Sequence, residues 1–253
     1  MSLDFIIAIV ASLFAGLVDS IVGGGGLILV PALFATFPNM PPATLLGTNK
    51  AASVWGTLFS TIQYAQRVAI QWRVLLPAAV ITALASLVGA WAVTQVDGSI
   101  LRKALPIILL GVLIYTISVK HLGAVHAPRF KGSRELLAMA AIGISIGFYD
   151  GFFGPGAGSF YMFLFVRLLG YDFLNASANA KVLNLASNGT ALVLLSFKGH
   201  VWWQIAIAMA VSNVMGSLIG TKLALRYGAQ FVRVVFIFVV AALIIKTGAA
   251  AYL

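Results

Sequence analysis

The 253-residue chain has no cysteine, which excludes disulfides, thiolate nucleophiles and cysteine metal sites. Charge is scarce as well: Asp, Glu, Lys and Arg make up 9% of the residues, where a soluble domain carries about a quarter. Acid is scarcest, with six carboxylate side chains against sixteen Lys and Arg. The resulting net charge of +10 is not a nucleic-acid footprint. The basic residues stand singly or in short clusters between apolar runs, the distribution that orients membrane proteins. Histidine is limited to His121 and His126 in a polar linker and His200 in a short loop, so no metal site or buried relay is expected from it.

What the chain has in abundance is apolar length. Hydrophobic residues make up 61%, and the mean hydropathy is +1.04. Runs such as Val74–Thr94, Leu105–Val119 and Phe231–Ile245 approach or reach the roughly 20 residues of a spanning helix. This composition describes a polytopic membrane protein. The stretch Phe5–Val18 is not read as a secretory signal, because no basic residue precedes it and no small-residue cleavage site follows.

The chain is also an internal duplication. Gly16-Leu-Val-Asp19-Ser-Ile-Val-Gly23-Gly24-Gly25-Gly26 is echoed 131 residues later by Gly147-Phe-Tyr-Asp150-Gly-Phe-Phe-Gly154-Pro155-Gly156-Ala157. At the same offset Phe34 meets Phe165, Lys50 meets Lys181, Ser86 meets Ser217, Gly89 meets Gly220, Arg102 meets Arg233 and Thr116 meets Thr247. Apolar composition does not produce matched Asp, Lys, Arg and Gly by chance. A repeat in a membrane chain points to a transporter.

Each half reads as five apolar segments. They are Phe5–Ile21, Leu27–Phe37, Thr44–Tyr64, Val74–Val96 and Ile100–Val119, then Leu136–Phe152, Ser159–Leu169, Leu174–Phe197, Val201–Leu225 and Phe231–Ala250. The second segment of each half spans only about 16 Å at 1.5 Å per residue, near half the hydrocarbon core. With the segment before it, it reads as a short or re-entrant helical hairpin bent at the glycine cluster. Three spanning helices follow. The number of crossings per half is then odd, so the fold expected is all-α with two inverted-topology repeats. The first repeat covers 1–119, a cytoplasmic linker 120–135, and the second repeat 136–253. One face collects Arg67, Arg73, Lys120, Arg129, Lys131, Arg134, Arg167, Arg226 and Arg233; the other has Arg102, Lys103, Lys198 and Lys246. The positive-inside rule makes the first face cytoplasmic and both termini extracytoplasmic. Trp72, Trp202 and Trp203 fall at segment ends, as interfacial anchors do.

Three sets of residues carry candidate chemistry. The clusters Gly23, Gly24, Gly25, Gly26 and Gly154, Gly156 let the backbone bend and present N–H groups at a helix N-terminus, a seat for an anion. The competing reading is close helix packing. Lys50 and Lys181 stand inside apolar segments, where a charge costs about 2.5–3.5 kcal/mol or more and needs a partner. A bound oxyanion suits them, with Thr48, Asn49, Asn179 and Asn184 as neutral donors. Snorkelling to the interface is the alternative. Asp19 and Asp150 are the acidic residues deep in the apolar segments. They either carry a coupling proton or serve structure, by capping free N–H groups or pairing with Lys50 or Lys181. An enzymatic reading finds little support. Tyr149-Asp150 matches one motif of intramembrane aspartyl proteases, but the Gly-x-Gly-Asp partner motif is missing. A non-enzymatic carrier without cofactors is expected.

Gly16-x-x-Asp19-Ser-Ile-x-Gly23-Gly24-Gly25-Gly26-Leu27-Ile28-x-x-Pro31, with Gly47-Thr48-Asn49-Lys50, resembles the N-terminal signature of the TauE/SafE family. Gly147-x-x-Asp150-Gly-x-x-Gly154-Pro155-Gly156-x-Gly158 is similar to its second signature, and the resemblance covers essentially the whole chain. It implies a secondary transporter of the bacterial inner membrane, associated with sulfite and organosulfonates that are generally moved outward with ion coupling. H+ or Na+ would be the coupling ion. A passive anion channel, or a carrier for another small organic anion, is the alternative. Oligomeric state is left open. Phe34, Phe160 and Phe165 are candidates for the wall against a sulfonate's apolar tail. The halves are unequal here: Pro155 and Ala157 replace Gly24 and Gly26, and Met162 stands where the first half has Pro31.

Overall fold

The computed structural model describes residues 3–101, 103–104, 107, 110 and 126–227. The fifth apolar segment of each half, together with Arg102, Thr116, Lys120, His121, Arg233, Lys246 and Thr247, lies outside the described residues or largely so. Eight α-helices are described: α1 (Leu3–Val22), α2 (Gly26–Thr36), α3 (Pro42–Ala65), α4 (Trp72–Val93), α5 (Ser133–Phe152), α6 (Ala157–Leu164), α7 (Phe173–Phe197) and α8 (Trp203–Tyr227). A π-helical turn, Phe165–Leu169, extends α6. Five of these helices are long and apolar enough to cross a membrane, namely α1, α4, α5, α7 and α8. α3 has 24 residues but is too polar to join them. Its buried face carries Thr48, Asn49, Lys50, Thr57, Ser60 and Thr61.

The helix starts repeat at the offset of the sequence. Gly26 and Ala157, Pro42 and Phe173, and Trp72 and Trp203 begin equivalent helices, each pair 131 residues apart. The punctuation explains this. A glycine bend opens α2 and α6, Pro42 sits at the start of α3, and Asp172 caps α7 by accepting from Asn175 N at 2.8 Å. The short second arms are as expected, with 11 residues in α2. The first arms are longer than a re-entrant hairpin needs. α1 and α5 each have 20 residues, about 30 Å at 1.5 Å per residue, a length that would suffice for a crossing.

The packing has the same two-part symmetry. α1 lies along α8, and α4 lies along α5, through small residues that bring backbones together. A Cβ on Gly16 would fall 2.1 Å from the Asn213 carbonyl oxygen, and one on Gly147 would fall 2.7 Å from that of Thr82. Serine hydroxyls stitch other seams in matched pairs. Ser86 donates to the Ser187 carbonyl at 2.7 Å, and its equivalent Ser217 donates to the Gly56 carbonyl at 2.6 Å.

The two ends of the bundle differ. At one, Phe5, Phe37 and Trp202 meet edge to face with centroids 5.2–6.2 Å apart. There Lys198 also donates to Thr94 beyond the end of α4, at 2.9 Å. At the other, Tyr171 donates to Glu135, and the linker runs against the end of the π turn through Arg129 N to Leu169 O and Ala127 N to Gly170 O, both 2.9 Å. α1 thus starts at the end where α4 stops, and α5 starts where α4 starts. Leu84, Val88, Trp91, Ile144, Ile207 and Val211 turn outward, as lipid-facing residues do.

Candidate functional site

The two glycine bends meet in the middle of the protein. Gly23 turns with φ 75°, and Gly154 and Gly156 with φ 97° and 81°, the left-handed region that side chains avoid. Contact is backbone to backbone: a Cβ on Gly23 would lie 2.3 Å from the Gly158 carbonyl carbon. Ser159 fastens the junction, its amide donating to the Gly23 carbonyl at 3.0 Å and its hydroxyl to that of Val22 at 2.7 Å.

Both lysines point into this junction and both are buried, Lys50 at 2% and Lys181 at 3% exposure. Neither snorkels. Each is neutralised by an aspartate of the other half. Lys50 Nζ lies 2.5 Å from Asp150 Oδ1, and Lys181 Nζ lies 2.8 Å from Asp19 Oδ2. Equivalent residues pair reciprocally: of the alternatives for Asp19 and Asp150 the arrangement seen contains the Asp–Lys pairs, and the pairing is crossed between halves. The carboxylates have further partners. Asp19 accepts from Thr57 at 3.3 Å and from Gly25 N at 3.4 Å, and its main-chain carbonyl accepts from Lys181. Asp150 accepts from Ser187, and Lys50 donates also to Asn188 Oδ1 at 2.7 Å. A buried ion pair keeps both ions only when such hydrogen bonds complete their shells. With each carboxylate bonded to a lysine, the pair does not form the shared-proton dyad of an aspartyl protease.

The neutral candidates divide. Asn184 belongs to the junction: its Oδ1 accepts from Asn188 at 3.2 Å, linking it to Lys50. It also lines, with Gly23, Gly158, Ser177 and Lys181, a cavity of about 10 Å³. That is room for about one water, so the arrangement seen is closed around its ion pairs. Thr48 is engaged elsewhere, donating to Thr44 O at 2.7 Å and accepting from Trp202 N at 3.0 Å. Asn179 donates to Asn175 O at 2.8 Å, within its own helix. Asn49 is buried and its Oδ1 has no partner among the described residues. Of the glycine amides, Gly23 donates to Asp19 O at 2.7 Å and Gly25 to the Asp19 carboxylate. Of the proposed apolar wall, Phe165 is fully buried and Phe34 nearly so, and Phe160 stands edge-on to Tyr149 at 5.6 Å.

The structure adds four residues that sequence reasoning did not single out: Thr57, Ser187, Asn188 and Tyr161. Asn188 had a signal, since Ser177, Lys181, Asn184 and Asn188 form a polar stripe at helical spacing on α7. No cluster of three His, Asp or Glu that would hold a metal occurs among the described residues.

Residues 8–247 match the family model described as "Sulfite exporter TauE/SafE". The chain is 35% identical over 237 residues to "Probable membrane transporter protein ORF9" of Sinorhizobium sp, covering 94% of this chain and 89% of that one. It is 36% identical over 235 residues to "Probable membrane transporter protein YfcA" of Escherichia coli K12, covering 93% and 86%. A "Probable membrane transporter protein" of Haemophilus influenzae is 34% identical over 219 residues, covering 87% and 84%. No solved structure matches the chain.

Proposed function

Since the chain belongs to the TauE/SafE family of membrane transporters, and is a transporter and not an enzyme, we propose that it moves small sulfur-containing oxyanions, sulfite or short organosulfonates, by ion-coupled alternating access. The observation that carries this reading is the pair of buried lysines at the junction of the two glycine bends. A buried ammonium needs a negative partner. In the closed arrangement an aspartate fills that role; a bound oxyanion fills it when the carboxylate lets go. Asn49, Asn179 and Asn184 flank the lysines, and the amides of Gly24, Gly26 and Gly156 are the remaining donors of the two bends, that of Gly154 being engaged by Tyr149 O. Thr48 contributes by holding the start of α3 to the loop before α8.

In this reading the matched helices form inverted-topology repeats, 1–119 and 136–253 about the linker 120–135, and the hairpins rock against the longer helices. The basic residues place the 126–135 end in the cytoplasm of a bacterial inner membrane, with both termini outside. H+ or Na+ is the coupling ion, and export is the direction that the family description suggests.

Uptake of labelled sulfite and a short organosulfonate into proteoliposomes, with and without a pH gradient, tests the proposal. Uphill flux that is lost in Lys50→Ala/Lys181→Ala is the expected result. Downhill flux indifferent to the gradient would make the protein a passive channel. No flux of either anion by folded protein would leave another small organic anion as the substrate.

A further inference from the structure

The two ion pairs are made of equivalent residues but are not held alike. Around Asp19 the main chain takes part. Its carbonyl accepts from Lys181, and its carboxylate accepts from Gly25 N, at the start of α2. Around Asp150 every partner is a side chain: Lys50, Ser187 and, through Lys50, Asn188. The second bend is fastened independently of the carboxylate, by the Tyr149 hydroxyl donating to Pro155 O at 2.6 Å and by Gly154 N donating to Tyr149 O at 3.2 Å. The Asp150 network can therefore exchange partners without remaking a backbone turn; the Asp19 network cannot.

A second observation falls on the same side. The Tyr161 hydroxyl on α6 is wholly buried and lies within reach of the Ser187 side chain, without well-formed hydrogen-bond geometry to it, in the field of Asp150. Buried polar groups are normally well paired, so a hydroxyl left with only this loose contact beside Asp150 is a donor open to a better acceptor. The equivalent position in the first half is Val30, which has no such group. The groups that face Asp150 are thus Lys50 from α3, Ser187 from α7 and Tyr161 from α6, with the Asp19–Lys181 pair across the junction.

We propose that Asp150, and not Asp19, carries the coupling proton, and that Lys50 with the Tyr161 hydroxyl receives the transported anion once Asp150 is protonated. A proton from water adds to a carboxylate oxygen of Asp150, which becomes neutral and releases Lys50. Lys50 keeps its ammonium protons and its charge. The anion then accepts from Lys50 and Tyr161; on the far side anion and proton leave and the Lys50–Asp150 pair re-forms. One proton travels with each anion in the same direction, and for a singly charged sulfonate the cycle moves no net charge. Coupling of this sign drives uptake under an inward proton gradient, and gives export only where the anion's outward gradient is larger.

The identity of the anion rests on the function proposed above; the proton assignment is tested without it. Infrared difference spectra between acidic and neutral pH, on reconstituted protein, report carboxyl protonation directly. The band of a protonated carboxyl is expected in wild type and in Asp19→Asn, absent in Asp150→Asn, and shifted in Asp150→Glu. A band that survives in Asp150→Asn, or that is lost only in Asp19→Asn, or that wild type never shows, overturns the proposal. With sulfite and methanesulfonate as probes, Asp150→Asn should lower acid-driven accumulation at least tenfold and leave residual flux independent of the gradient. Tyr161→Phe should raise KM with a smaller change in kcat. Accumulation in Asp150→Asn that still follows the pH gradient would refute the assignment. If wild type moves neither anion while the infrared pattern holds, the substrate reading fails and the proton site stands.

Discussion

The first and second glycine bends perform the same turn with different chemistry. In the first, Gly23 takes the left-handed conformation, and the glycines after it leave room: a Cβ on Gly25 would fall 2.6 Å from the Ala15 carbonyl oxygen. In the second, Gly154 and Gly156 are both left-handed around Pro155, whose carbonyl is held by Tyr149. The first bend depends on its aspartate to hold Gly25; the second is fastened by a tyrosine and a proline. Duplicated halves therefore keep the shape of the turn while holding their carboxylates differently, and that difference is what the proton proposal rests on.

The contrast can be broken most severely where the bends touch. Gly23→Val or Gly158→Val drives a side chain into the facing backbone, and Gly23 also loses its left-handed turn, worth about 1–2 kcal/mol alone. Loss of the folded monodisperse protein in size-exclusion chromatography is expected for both. Gly26→Ala, whose Cβ would sit 3.2 Å from Pro155 Cα, should be tolerated far better.

Next in size are the crossed pairs. Removing one partner of a buried pair costs about 3–5 kcal/mol. Lys50→Met should lower the thermal midpoint strongly, and adding Asp150→Leu should restore most of it. Adding Asp19→Leu instead should not. A double-mutant cycle that couples Lys50 to Asp19 in place of Asp150 would refute the crossed arrangement. The smallest effect sharpens the symmetry: Ser86→Ala and Ser217→Ala each remove one side-chain hydrogen bond to a carbonyl. Each should cost about 1 kcal/mol, and the two should be nearly equal in chemical denaturation.

Much of this was legible in the residues. The starts of α2, α3 and α6 follow Gly and Pro punctuation that any reader of the sequence can mark, and Lys50 and Lys181 announced themselves by standing charged in apolar segments. The crossing of the pairs was not legible, because the partners are 100 and 162 residues apart and either connection satisfies the charge rule. Thr48 reads from the sequence as a donor beside a buried lysine, and its hydrogen bond from Trp202 N was not legible because that partner lies 154 residues away. Tyr161 was passed over for a deeper reason. A duplication directs attention to residues that match, and Tyr161 matters because Val30, its counterpart, does not match.

The crossed pairing also sets a timetable for synthesis. Asp150 leaves the ribosome 100 residues after Lys50, and Lys181 leaves 162 residues after Asp19. At translation rates of about 5–20 residues per second, that is roughly 5–20 s for the first pair and about 8–30 s for the second. For that time the nascent first half holds one cation and one anion in apolar helices without their final counterions. Until the second half arrives, Lys50 and Asp19 can neutralise only each other or face water, so the first half reaches its final charge pairing only together with its partner.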